Sequence, residues 1–189
     1  MLNVQGTERE DMEMTPRRRE TPARAEWLPE RVLLHSLGEE WPVAYRVGGG
    51  RRVAASERGG LLVVSGGVHD PYACRAALQR WLGRRATESL PGWLDAAAAE
   101  TGMCFTRTSV RNQRTCWASC SARGTISLNQ KLMLIPRHLV RYVLVHELCH
   151  TVHLDHSPRF WAHVAAWEPE FNHRRRELRA ARAYVPAWC

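Results

Sequence analysis

His146-Glu147-Leu148-Cys149-His150 forms an H-E-x-x-H array within the stretch 139–161, LVRYVLVHELCHTVHLDHSPRFW. The apolar run leading into it holds no Gly or Pro, so the pattern predicts a helix. Helical residues four apart share a face, with β-carbons about 5–6 Å apart, so His146 and His150 can aim two imidazoles at one point. Neutral imidazoles suit a borderline cation such as zinc, with Zn–N bonds of about 2.0–2.1 Å. Glu147 follows the first histidine and sits roughly 100° further round the helix. A carboxylate there lies beside a metal rather than on it, where it can take a proton from a water molecule.

Two ligands are too few, and His153 and His156 are both near enough to supply a third. His156 is six residues past His150 and converges only if the chain turns back after about Leu154. Asp155-His156-Ser157-Pro158 favours that turn, because Ser157 suits an N-cap and Pro158 the first position of a second helix. A histidine just before such a cap can point back across the corner. His156 is therefore the favoured third ligand and His153 the alternative. Three protein ligands leave the fourth position of tetrahedral zinc open, which is the catalytic arrangement. One Zn2+ per chain is expected.

The elements around this corner can be read in order. Residues 1–26 carry mixed charge and few large apolar groups and read as a disordered tail, leaving 27–189 as a single domain. Strands are expected at 31–35, 41–47, 51–55 and 61–64, the last two joined across Gly59-Gly60, as a small sheet or meander. Asp70-Pro71 caps a helix to about Arg85; Pro91 restarts or kinks it, and it ends at Gly102. A strand at 105–110 precedes a hairpin of 114–121 and 125–129 that turns at Ala122-Arg123-Gly124. Pro136 starts the metal helix, a second helix runs from Pro158 to about Trp167, and a third from Glu170 to about Ala183.

The 189 residues fit about one domain, and 44% hydrophobic content is ordinary for a globular fold. No apolar run reaches the ~18 residues of a spanning helix, so no membrane partner is expected. The first residues lack the apolar h-region of a secretory signal, which points to the cytoplasm. A reducing compartment makes the six cysteines free thiols, mostly buried, with Cys189 exposed; Cys116 and Cys120 lack the second pair that a cysteine metal site needs. The net charge of +8 is almost all arginine, since Lys131 is the only lysine, and favours anionic partners. Arg80, Arg84 and Arg85 form one basic helical face, and Arg174, Arg175, Arg176, Arg179 and Arg182 another.

Three groups of residues together carry a resemblance. They are Arg114-x-x-Trp117-x-Ser119-Cys120-Ser121, then Ile126-Ser127-Leu128-Asn129, then the H-E-x-x-H array with Asp155-His156-Ser157-Pro158-Arg159-Phe160-Trp161. In this order they resemble the YgjP-like metallopeptidases of the SprT-like zincin group, over roughly 45–182. The resemblance implies an α+β, zincin-like (minigluzincin-type) domain: a small antiparallel or mixed sheet packed beside the active-site helix, with the metal in the cleft. It implies His146, His150 and His156 as zinc ligands and Glu147 as general base. It also implies that the hairpin 117–129 borders the cleft, where an edge strand can hold an extended protein or peptide substrate. The family's Trp-Gly-Ser-Cys reads Trp117-Ala118-Ser119-Cys120 here, which strains Ala118 if the site needs positive φ. Phe171 stands where relatives often carry a tyrosine, so it offers no hydroxyl for an oxyanion; His163 and Arg159 are candidates by proximity alone.

The expected function is peptide-bond hydrolysis by zinc-activated water with Glu147 as base. The alternative is a nucleic-acid-associated protein whose basic helices bind DNA and whose proteolysis is restricted to DNA-bound proteins. No zinc finger, helix-turn-helix or aromatic-interleaved basic motif accompanies those helices.

Overall fold

Asp70 opens the longest helix. Its carboxylate accepts hydrogen bonds from the Tyr72 and Ala73 amides at 2.9 and 3.3 Å, and Pro71 fills the first turn, where no amide hydrogen is needed. A computed structural model of the chain describes residues 28–50 and 52–189. The segment expected to be disordered, 1–26, lies outside the described residues, as does Arg51. The helix, α1, spans Pro71–Thr101 and stops at Gly102 with φ of 69°, the left-handed conformation glycine adopts most easily. It does not restart at Pro91 as the sequence suggested. Leu82, Ala86, Leu90, Leu94 and Ala97 are all buried, so one apolar face seats on the core on both sides of the proline. Each buried leucine contributes about 1.5–3 kcal/mol, which offsets the ~3 kcal/mol cost of an interior proline.

The first sheet contains β1 (Arg31–Leu34), β2 (Glu39–Val47), β3 (Ala54–Arg58) and β4 (Leu61–Gly66), in the order β1-β2-β4-β3. It is not a meander: β4 lies parallel to β2, with Val43 opposite Leu62 and Tyr45 opposite Val64. Composition explains the placement. Leu62, Val63 and Val64 are buried, so β4 takes an interior position, while Ser56, Glu57 and Arg58 suit β3 to the edge. Gly59 and Gly60 both have positive φ, as a tight hairpin turn demands. At the end of β4, Gly66 has φ of 117°, and a β-carbon there would meet the Arg52 carbonyl oxygen at 2.0 Å.

The second sheet has β5 (Arg107–Arg111), β6 (Ala118–Cys120) and β7 (Thr125–Asn129), in the order β5-β7-β6. The expected hairpin is β6–β7, with Gly124 at φ of 73° in its turn; β5 joins parallel to β7. Ala118 is not strained, because no described residue other than glycine has positive φ. Asn129 is fully buried and pins the loop before β6: its amide donates to the carbonyls of Gln113 and Cys116 at 3.0 and 2.7 Å.

A 3-10 turn, Gln130–Leu134, leads to α2 (Arg137–Cys149), which contacts both α1 and β6. Leu139, Val140 and every residue from 142 to 149 are buried, so α2 is a core helix. Then come α3 (Pro158–Trp167), α4 (Phe171–Ala180) and a last 3-10 turn, Ala181–Tyr184. The fold is α+β, and among the described residues no helix is long and apolar enough to cross a membrane. All six cysteines are free. Cys74 and Cys149 are buried, but Cys104 is exposed, against the expectation of burial. Cys189 is half-buried rather than exposed, because Trp188 beside it packs into the core and Arg75 donates to the carbonyls of both residues.

Candidate metal centre

His146 and His150 lie one turn apart at the end of α2, with His150 as the C-cap. The chain then reverses. Thr151 and Val152 donate to the carbonyls of Leu148 and Cys149, which closes the helix. Asp155 accepts from the Ser157 amide, and Ser157 caps α3 through the Phe160 amide at 3.5 Å. This corner delivers His156 to α2. The Nε2 atoms of His146, His150 and His156 form a near-equilateral triangle, with separations of 3.2, 3.1 and 3.2 Å. Bonds of ~2.0–2.1 Å at tetrahedral angles set ligand nitrogens ~3.3 Å apart, so a cation above the triangle fits. Among the described residues, this is the one group of three or more His, Cys, Asp or Glu able to share an ion.

His153, the alternative ligand, is not in the triangle. Its ring packs edge-on against His163 at 5.5 Å, and its carbonyl serves the site instead. That oxygen lies 3.1 Å from His150 Nδ1 and accepts its proton, which fixes the tautomer and leaves the Nε2 lone pair facing the other two histidines. Phe160, fully buried at the first turn of α3, packs against all three imidazoles, with ring centroids 5.0, 4.4 and 4.8 Å from His146, His150 and His156. Trp161 stacks on His156 at 5.5 Å and on Phe171 at 5.4 Å, and the Arg175 guanidinium sits 4.8 Å from its ring. Sequence reasoning gave Phe160 and Trp161 only as part of a motif, and did not foresee the His153 carbonyl. Their aromatic types beside a capping serine were the available signal.

The electrostatics suit a cation. Burial, then the neighbouring His150 and His156, holds His146 well below the usual imidazole range. Burial also takes His150 down to about 4, so both rings are neutral near pH 7 and free to ligate. Glu147 is 2% exposed, and burial pushes its carboxyl up to about 8. Its charge reaches the Cys120 thiol on β6, which burial first and Glu147 second raise to about 11. Glu147 thus faces the β6 side of α2. Neither oxyanion candidate is seen at the triangle: His163 packs on His153, and Arg159 is exposed.

Three imidazoles converging beside a buried glutamate, on an α+β scaffold, fit the class of metal-dependent hydrolases. The family model of the YgjP-like metallopeptidase domain matches residues 8–181. The chain belongs to the YgjP-like metallopeptidase family: it is a hydrolase that acts as a peptidase, and the family implies a metal cofactor. Among solved structures it is similar to the crystal structure of the metallopeptidase zymogen of Pyrococcus abyssi abylysin. The identity is 26%, the TM-score 0.41, and the match covers 47% of this chain and 87% of that one. No curated protein matches the chain.

Proposed function

We propose that His146, His150 and His156 hold one zinc ion per chain and that Glu147 is the general base for peptide-bond hydrolysis. The observation that carries this reading is the Nε2 triangle, with all sides within 3.1–3.2 Å. When bound, zinc supplies Lewis acidity towards water and a carbonyl oxygen. The chain's own residues do the rest. Glu147 accepts the proton of the attacking water and returns it to the leaving amine. Its buried setting raises its proton affinity, and a neighbouring cation works the other way, which keeps it a base. His153 holds His150 in the ligating tautomer through its carbonyl. The substrate is a protein or peptide lying extended along β6, whose outer edge pairs with no strand among the described residues. The expected compartment is the cytoplasm, which cell fractionation would check.

The test is metal analysis beside peptidase assay. Glu147→Gln should keep its zinc and lose turnover, whereas a variant as active as wild type would remove Glu147 from the mechanism.

The DNA-associated reading has weaker support. Arg85 is engaged by Glu39 and Glu57, Arg174 by Glu170 and Glu177, and Arg175 by Trp161. Those three groups are engaged within the fold, and Arg80 and Arg84 each give one N–H to a main-chain carbonyl. Affinity for duplex DNA falling steeply with salt would restore that reading; no binding at low salt would end it.

A further inference from the structure

His156 has a cation behind it. Trp161 stacks on the His156 ring at 5.5 Å, and the Arg175 guanidinium lies over Trp161, 4.8 Å from the ring centre. Glu147, by contrast, faces β6, since its charge is felt at Cys120. The three histidines thus have β6 on one side and the Trp161–Arg175 stack on the other. A guanidinium there repels a divalent cation held by the imidazoles, unless an anion lies beside them.

Arg175 is part of a stripe. Phe171, Arg175 and Arg179 are spaced by four on α4 and share a face, and Arg182 continues that face into the last 3-10 turn. Phe171 also stacks on Trp161, at 5.4 Å, which turns the stripe towards the metal corner. The acids of α4 are elsewhere. Glu177 is the one acid between 171 and 182, and it meets His173 and Arg174 on a different face, where Glu170 also meets Arg174. At its far end the stripe nears the loop that enters β6. Lys131 donates to the Gln113 carbonyl in that loop at 2.7 Å. Burial first holds the Lys131 amine below its usual range; Cys189 opposes this, and the charges of Arg182, Arg75 and Arg114 add to it. Cations therefore flank the cleft from the metal corner back towards the start of β6, and a field of one sign along a cleft concentrates ligands of the other.

The spacing suits an extended peptide. The two contacts of 5.5 and 4.8 Å laid end to end put Arg175 no more than about 10 Å from the His156 ring, roughly three extended residues at ~3.3 Å each. Arg179 is one helical turn further, roughly two residues more. An arginine over an aromatic ring can still meet a carboxylate with two in-plane N–H groups, so the contact with Trp161 orients Arg175 for an acidic side chain.

We propose that the cleft selects peptides with acidic side chains about three to five residues to one side of the scissile bond, read by Arg175 and Arg179. This rests on the zinc-peptidase reading above, so binding and cleavage are measured separately. The full chain carrying Glu147→Gln, supplied with zinc, is titrated at low salt with two fluorescein-labelled peptides of one sequence, followed by anisotropy. The first carries glutamate at alternate positions and the second glutamine in their place. The glutamate peptide should bind about tenfold tighter or more, the worth of a charge-assisted hydrogen bond. Arg175→Gln and Arg179→Gln should each remove most of that preference and leave affinity for the glutamine peptide unchanged. Arg176→Gln, the same loss of charge turned about 100° round α4 from Arg175, should keep it. Arg176 and Arg179 are both exposed, and the melting temperature of each variant is compared with that of wild type. Equal affinity for the two peptides, or a preference lost equally in Arg176→Gln, would overturn the proposal. So would a single-stranded oligonucleotide that outcompetes the glutamate peptide and loses affinity in the same variants, since the stripe would then read a phosphate backbone. The peptidase reading fails separately: selective binding with no cleavage of either peptide by zinc-loaded wild type would leave the acidic preference standing and count against hydrolysis.

Discussion

Glu147 and the three histidines carry separable burdens, so their variants should fail in different ways. Glu147→Gln keeps the helix and removes the proposed base; we expect normal metal content with peptidase activity lower by about 10²–10⁴, the usual worth of general acid–base catalysis. His156→Ala should lose both metal and activity, while His153→Ala should keep its metal, because only the His153 carbonyl reaches the site. Metal analysis of the two variants side by side checks this; a metal-free His153→Ala beside a loaded His156→Ala would reverse the assignment. The convergence of the three histidines was legible in the sequence. Spacing of four puts His146 and His150 on one face, and Ser157-Pro158 announces the corner that returns His156. Phe160 beneath the imidazoles and the His153 carbonyl were not legible. Which ring fills a corner, and which carbonyl a histidine reaches, depend on the angle at which α3 leaves it.

Caps and turns decide the elements. Asp70→Ala removes the acceptor for two first-turn amides, and should cost about 1 kcal/mol of unfolding free energy, read by urea denaturation. Gly66→Ala should cost far more, since it combines positive φ with a β-carbon 2.0 Å from the Arg52 carbonyl oxygen; a variant as stable as wild type would contradict that geometry. These boundaries follow from local chemistry, and Asp70, Gly102 and Ser157 stand where the sequence put them. Strand order does not follow from local chemistry. The parallel pairing of β2 with β4 joins segments through β3, and only the burial of Leu62 to Val64 against the polar edge of β3 favours it over a meander. The unbroken passage of α1 through Pro91 is decided likewise by long-range packing on both sides of the proline.

At the scale of the whole molecule, the three histidines bring α2 and the start of α3 together across a single corner, and a bound metal would tie them. A ligand that binds only the folded state adds RT ln(1 + [L]/Kd) to stability, about 4 kcal/mol at a thousandfold excess over Kd. Chelator treatment should therefore lower the melting temperature of wild type and leave that of His156→Ala unchanged, as calorimetry would read. The most direct test of the account is zinc content in freshly purified wild type and in His156→Ala, measured by mass spectrometry on protein never exposed to chelator. About one zinc per wild-type chain is expected, in the open three-histidine arrangement, and none in the variant. A wild-type chain without metal, or a variant that retains it, would contradict the assignment of His146, His150 and His156 as the zinc site.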